Sequence, residues 1–110
     1  MDDRRFGVQV MEVPDEARVR MRGDLDSRAD ETLRAAYSEV AALGLPRLTL
    51  DFNDVGYINS TGIALVVRML AEARRDGRGV RAVGLTPHYQ TIFRITRLSD
   101  FMDIVEGDAA

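Results

Sequence analysis

The chain opens with apolar residues alternating with charged ones and then changes to helical spacing, so strands are predicted first and helices after them. Residues 6–13 and 17–23 read as two strands around a Pro14-Asp15-Glu16 turn. Val8 and Val10, with Met11, supply the first apolar side. Val19 and Met21 alternate with Arg18, Arg20 and Arg22, the period of a half-buried strand. A paired hairpin at a sheet edge follows from this. Gly23-Asp24-Leu25-Asp26-Ser27 reads as a loop into a helix over 28–43, with Ala29, Leu33, Ala36, Val40 and Leu43 on one face. Ser27 is the expected N-cap, with Asp30 three residues on, and Gly44 and Pro46 stop the helix. Residues 47–52 form a short strand and 53–59 a loop. A second helix over 61–75, a turn at 76–79 and a strand over 80–85 come next. Thr86-Pro87 opens a third helix with a cap residue and a Pro at its first position, carrying Ile92, Phe93 and Thr96 on one side. Residues 101–105 are a last extended piece, and 107–110 a frayed tail.

Two strands followed by alternating helix and strand predict the α/β class. The expected architecture is a single mixed β-sheet of about four or five strands, packed by three or four helices. The sequence has 110 residues, no internal repeat and no linker composition, so one domain over 1–110 is expected.

Composition removes several function classes. The chain is 45% hydrophobic and 30% charged, with net charge -3 and acids and bases interleaved. All of the Lys+Arg residues are arginine, and they form no basic run, so no direct nucleic-acid contact is expected. Without cysteine there is neither a disulfide nor a thiolate site. His88 is the only histidine, and no metal or cofactor is expected. The charged start lacks the apolar core of a signal peptide, and the longest apolar run, residues 63–67, is too short to span a bilayer. A soluble, cytoplasmic protein without membrane insertion is the expectation.

The informative stretch is residues 50–69, LDFNDVGYINSTGIALVVRM. A strand ends, a polar loop follows, and Asn59-Ser60-Thr61-Gly62 opens a helix. Ser60 has a plain role as N-cap, stabilising the helix by about 1 kcal/mol. The same position suits a phosphate, because free N–H groups and the positive end of the helix dipole favour an anion there. Gly62 lies where Gly is unfavourable relative to Ala. Either another molecule approaches its backbone or the preceding loop packs on it. At 100° per residue Ile63, Val66, Val67 and Leu70 form the core stripe, with Arg68, Glu72 and Asp76 opposite. Leu65 and Met69 fall outside that stripe. They are either covered by a neighbouring helix or exposed as an apolar patch close to Ser60.

At these residues the chain resembles the STAS family, and within it the stand-alone anti-sigma factor antagonists. The resemblance is carried by Gly23-Asp24-Leu25-Asp26, by Leu50-Asp51-Phe52 running into Val55 and Ile58, by Ser60-Thr61-Gly62-Ile63, and by Ile95-Thr96 with Leu98 and Phe101. It implies a STAS-like fold and a non-enzymatic protein that binds an anti-sigma factor, itself a serine-protein kinase. It also implies that phosphorylation at Ser60 ends that binding and that a serine phosphatase restores it. Thr61 is the weaker acceptor. Asp26 matches the family's loop aspartate, and Asp26, Asn59, Ser60, Thr61, Gly62, Leu65 and Met69 are the expected partner-binding residues of a monomer. Two positions depart from the family. Asn59 stands where Asp is usual and removes one negative charge beside the acceptor. Arg97 stands where Gly often serves a left-handed helix end, so its helix is expected to end differently.

Rival readings are weaker. Asp76-Gly77-Arg78-Gly79 has the wrong spacing for a P-loop. No histidine is placed beside Ser60 as a base, His88 being read as solvated in the first turn of the third helix. Asp51 and Asp54 flank a predicted strand end as in response-regulator receivers, but the paired acids and lysine of receivers are missing. The alternative within the fold is a STAS-type scaffold or regulatory partner without a phosphorylation cycle, in a stress-sensing complex, a transporter or a lipid-transport ATPase.

Overall fold

The alternation at the start of the chain forms the hairpin it predicts. In the computed structural model, which describes residues 4–106, β1 (Gly7–Val13) pairs antiparallel with β2 (Glu16–Leu25) in the register Val10↔Val19 and Val13↔Glu16. Asp15, in the turn, takes a φ of 67°, which Asp tolerates better than most residues. β3 (Arg47–Ile58), β4 (Gly79–Val83) and β5 (Asp103–Ile104) add in parallel, giving one mixed five-stranded sheet in the order β1-β2-β3-β4-β5. Helices α1 (Asp30–Leu43), α2 (Ser60–Arg75) and α3 (Pro87–Ile95) link the successive parallel strands. Two 3-10 turns, Ser27–Ala29 and Leu98–Asp100, precede α1 and follow α3. The tail predicted at 107–110 lies outside the described residues. No helix among those described is long and apolar enough to cross a membrane.

Alternation also assigns the two faces of the sheet. Val19 and Met21, Leu48, Leu50 and Phe52, and Ala82 join Leu33, Val40, Val66, Leu70 and Phe93 of the helices in one core. Phe93 sets its ring edge-on to Phe52, with centroids 5.7 Å apart. The opposite face carries Arg18, Arg20, Thr49, Asp51 and Arg81. Its charges pair across strands: Arg18 with Asp51 at 3.3 Å, Arg81 with Glu16 at 3.2 Å and Arg20 with Asp54 at 3.8 Å. Asp51 is buried, which works against its charge. Hydrogen bonds from the Asn53 backbone N–H (2.9 Å) and side-chain amide (2.8 Å), with the Arg18 guanidinium, outweigh that burial and hold the carboxyl below its ordinary value. At the other end of the helices, the Tyr37 hydroxyl donates to Asp76 at 2.6 Å and accepts from Arg78 at 3.1 Å, while Arg78 Nε donates to the Leu45 carbonyl. Burial, then the Asp76 carboxylate, push the Tyr37 hydroxyl up to about 12. This knot ties α1 to the turn after α2.

Four expectations are corrected. Residues 23–25 and 53–58 are strand, not loop. β2 and β3 stay paired through Gly23↔Val55 and Leu25↔Ile58, with register shifts at Arg20/Arg22 and Gly23/Asp24. Ladder bonds to a partner strand overcome the low β-propensity of Asn53, Asp54 and Gly56. Helix α1 starts at Asp30, because Asp26, not Ser27, caps the 3-10 turn ahead of it by accepting from the Arg28 N–H. Helix α2 is rotated from the predicted phase: Leu65 (7% exposed) and Met69 (4%) are core, whereas Val67 is 43% exposed. The cause is Gly62, which is pressed on β2 and so turns the 62-65-66-69-73 face inward. Arg68, expected on the far side, reaches Asp30 of α1 at 2.7 Å. Finally, Arg97 takes the left-handed conformation itself, with φ 66°, so the helix end has the geometry that Gly would give, at the roughly 1–2 kcal/mol that a side chain costs there. The helix stop at Gly44 is as predicted, and Gly44 takes a left-handed φ of 64°.

Urea unfolding checks the phase of α2. Leu65→Ser and Met69→Ser should each cost roughly 2–5 kcal/mol, while Val67→Ser stays within about 0.5 kcal/mol. Acid unfolding checks Asp51. Its lowered pKa contributes stability that is fully present above the ordinary value of 3.8 and is lost as pH falls through the folded value. Asp51→Asn should therefore flatten the acid limb of the stability curve, whatever it costs at neutral pH.

Candidate functional site

The parallel strands β2 and β3 deliver their ends to the start of α2, and the backbone amides there can be accounted for one by one. Ile58 N–H donates to the Tyr89 hydroxyl at 2.9 Å. Asn59 N–H donates to the Leu25 carbonyl at 3.2 Å. Gly62 N–H donates to Asn59 Oδ1 at 2.8 Å, and Ile63 N–H to the Asn59 carbonyl at 2.9 Å. Ser60 N–H and Thr61 N–H find no acceptor among the described residues, and the Ser60 hydroxyl makes no hydrogen bond to them. Both side chains are exposed.

The cap is therefore Asn59, not Ser60. Asn59 is extended (φ -96°, ψ -177°), and its amide oxygen satisfies the third amide of the helix. Asn and Asp serve equally at this position, so Asn59 keeps the cap while carrying no charge. Ser60 becomes the first residue of the helix, with its hydroxyl released from structural duty.

Gly62 has an internal explanation. A Cβ there would lie 2.0 Å from the Leu25 carbonyl oxygen, the same oxygen that receives Asn59 N–H. Of the two readings left open for Gly62, packing on the chain itself is the one observed. The contact also brings Asp26 and the Ser27–Ala29 turn against the first turn of α2. The Asp26 carboxylate takes the Arg28 guanidinium at 2.8 and 3.1 Å and the Arg28 N–H at 3.0 Å. Those bonds, the side-chain ones first, hold it below the usual carboxylate range.

Of the sequence-derived site residues, Asp26, Asn59, Ser60 and Thr61 gather at this end of the sheet. Gly62, Leu65 and Met69 are buried beneath it. What continues outward from Ser60 along α2 is Ala64, Val67 and Ala71, all exposed, with Tyr57 (53% exposed) just before the helix. Val67 was hidden by the wrong helix phase and Tyr57 by the predicted loop. Tyr89 was missed because nothing local links it to Ile58, which lies 31 residues away. Asp51 and Asp54 lie within β3, not at its end, and both are ion-paired. His88 is exposed in the first turn of α3, as expected. No group of three or more His, Asp or Glu side chains among the described residues is placed to hold a metal ion.

Residues 8–106 match the family model described as "Mlab, STAS domain". The chain belongs to this STAS family. The anti-sigma-B factor antagonist of Bacillus subtilis (strain 168) is 27% identical to this STAS chain over 99 residues, covering 90% of each. The fold is shared with the anti-sigma factor antagonist SpoIIAA in its unphosphorylated form (TM-score 0.71, 19% identity, covering 93% of this chain and 90% of that one). It is also shared with the Bacillus cell fate determinant SpoIIAA in the phosphorylated form (TM-score 0.68, 22% identity, covering 91% of this chain and 92% of that one).

Thermal unfolding tests the roles at the start of α2 in this STAS domain. Asn59→Ala should cost about 1 kcal/mol and Asn59→Asp no more than a few tenths. Gly62→Ala should cost more than either, about 2 kcal/mol or above, because its Cβ meets fixed backbone.

Proposed function

We propose that this STAS domain is an anti-sigma factor antagonist, a binding protein and not a catalyst, that is switched off by phosphorylation of Ser60. The observation that carries the reading is the division of labour between Asn59 and Ser60. The helix is capped without the serine, so the hydroxyl is exposed and available, and modifying it removes no structural hydrogen bond. The two unclaimed amides of Ser60 and Thr61 and the positive end of the α2 dipole offer a phosphate its first contacts. A phosphoserine carries nearly two negative charges at neutral pH, enough to change what a partner meets without unfolding the protein.

In this reading the unphosphorylated surface of Asp26, Asn59, Ser60 and Thr61, extended along α2 by Ala64 and Val67, receives the anti-sigma factor. That partner is also the serine-protein kinase, and a serine phosphatase resets the cycle. Thr61 is the neighbouring, weaker acceptor. Asn59 lowers the negative charge around the acceptor while keeping the backbone geometry, so it bears on recognition and not on the fold.

Incubation with ATP and the cognate anti-sigma kinase, followed by mass spectrometry, should place one phosphate on Ser60. Absence of label with every candidate kinase of the same genome would leave a STAS-type scaffold or regulatory subunit as the remaining role. In calorimetry, Ser60→Asp should weaken kinase binding at least tenfold, about 1.4 kcal/mol, with the fold intact by circular dichroism. Ser60→Ala should still bind.

A further inference from the structure

The segment that carries Ser60 is held from a second side. β4 ends at Val83, and its last pair with β3 is Asp51↔Val83. Beyond that point β3 keeps β2 on one edge and has no strand of the described residues on the other. Asn59 gives its N–H to β2, so the preceding residue, Ile58, turns its N–H to the unpaired edge. There the Tyr89 hydroxyl accepts it at 2.9 Å, standing in for the missing strand.

Tyr89 is itself placed by local structure. The Thr86 hydroxyl caps α3 by accepting from the Tyr89 N–H at 3.3 Å, and Pro87 starts the helix. Gly84, with φ 81°, lets the β4–α3 connection run against β3, where a Cβ would lie 2.6 Å from the Asn53 nitrogen. The first turn of α3 is thereby pressed onto the exit of β3, with the hydroxyl aimed at the amide two residues before Ser60.

We propose that Tyr89 is a positioning residue for the Ser60 switch, fixing the β3–α2 junction through Ile58 so that the acceptor hydroxyl is presented in one geometry. The inference rests on the reading of Ser60 as the phosphate acceptor. Tyr89 touches neither phosphate nor nucleotide; it acts through Ile58 and Asn59. Its hold adds to that of the Leu25 carbonyl, so the junction is clamped by β2 on one side and α3 on the other. Presentation of an acceptor matters more to the transfer step than to docking, because small misplacements of a reacting atom are costly.

Tyr89→Phe removes the hydroxyl and keeps the ring. Gln90→Met, the neighbour whose amide instead donates to the Leu85 carbonyl at 2.9 Å, is the control for general loosening of α3. Amide hydrogen exchange of Tyr89→Phe should quicken about tenfold or more at Ile58 to Thr61 and be unchanged through α1. With the cognate kinase, kcat for Ser60 phosphorylation should fall roughly tenfold while KM moves less than about threefold. Gln90→Met should keep the wild-type kcat. Unchanged exchange at Ile58 to Thr61, an unchanged kcat, or an equal loss in Gln90→Met overturns the role of Tyr89 alone. A wild-type protein that takes no phosphate at Ser60 overturns the Ser60 reading, and this inference with it.

Discussion

The architecture turns on one oxygen, the carbonyl of Leu25. It ends β2, receives the Asn59 N–H, and lies where a side chain at position 62 would have to be. Because it occupies that space, α2 begins in direct backbone contact with the end of β2. The phase of the helix follows: Leu65 and Met69 turn inward to the core, and Ser60, Ala64 and Val67 turn outward. A backbone contact between residues far apart in sequence thus decides which side chains a partner can meet.

That geometry leaves the Ser60 hydroxyl outside the helix cap. A hydroxyl that caps a helix is committed, and modifying it costs the cap. Here Asn59 holds the Gly62 amide, so the cap does not depend on the exposed Ser60 hydroxyl beside it. The departure from the family's usual Asp is mild in structural terms, since both residues cap well. Its effect is electrostatic: a neutral amide stands where a carboxylate would lie beside the exposed Ser60 hydroxyl.

Much of this was readable from the chain. Helix α1 has a single apolar face and a Gly44-Pro46 stop, and α3 opens on Thr86-Pro87 with the cap formed. In both, the signals are local and agree with the packing. Two of the misread segments lack that agreement. Residues 53–58 have poor strand propensity and are strand only because β2 runs alongside. Helix α2 is apolar on most of its circumference between Ile63 and Leu70, so periodicity leaves its phase nearly undetermined, and Gly62 on Leu25 settles it. The candidate site was legible as a short motif around Ser60, whereas the Tyr89 hydrogen bond to Ile58 was not, because that contact exists only once α3 folds back over β3.

The polar face of the sheet bears on how such a domain diverges. Its exposed pair, Arg20–Asp54, contributes little and can be exchanged for another polar arrangement at small cost, whereas the acids of the other two pairs, Asp51 and Glu16, are buried. The helical face has no such freedom, because volume, phase and the Leu25 contact are fixed together. Drift is therefore cheap at the exposed charges of the polar face and expensive in the helical core. A chain of this kind can keep its backbone while its surface charges change, provided that the buried acids Glu16 and Asp51 keep their partners.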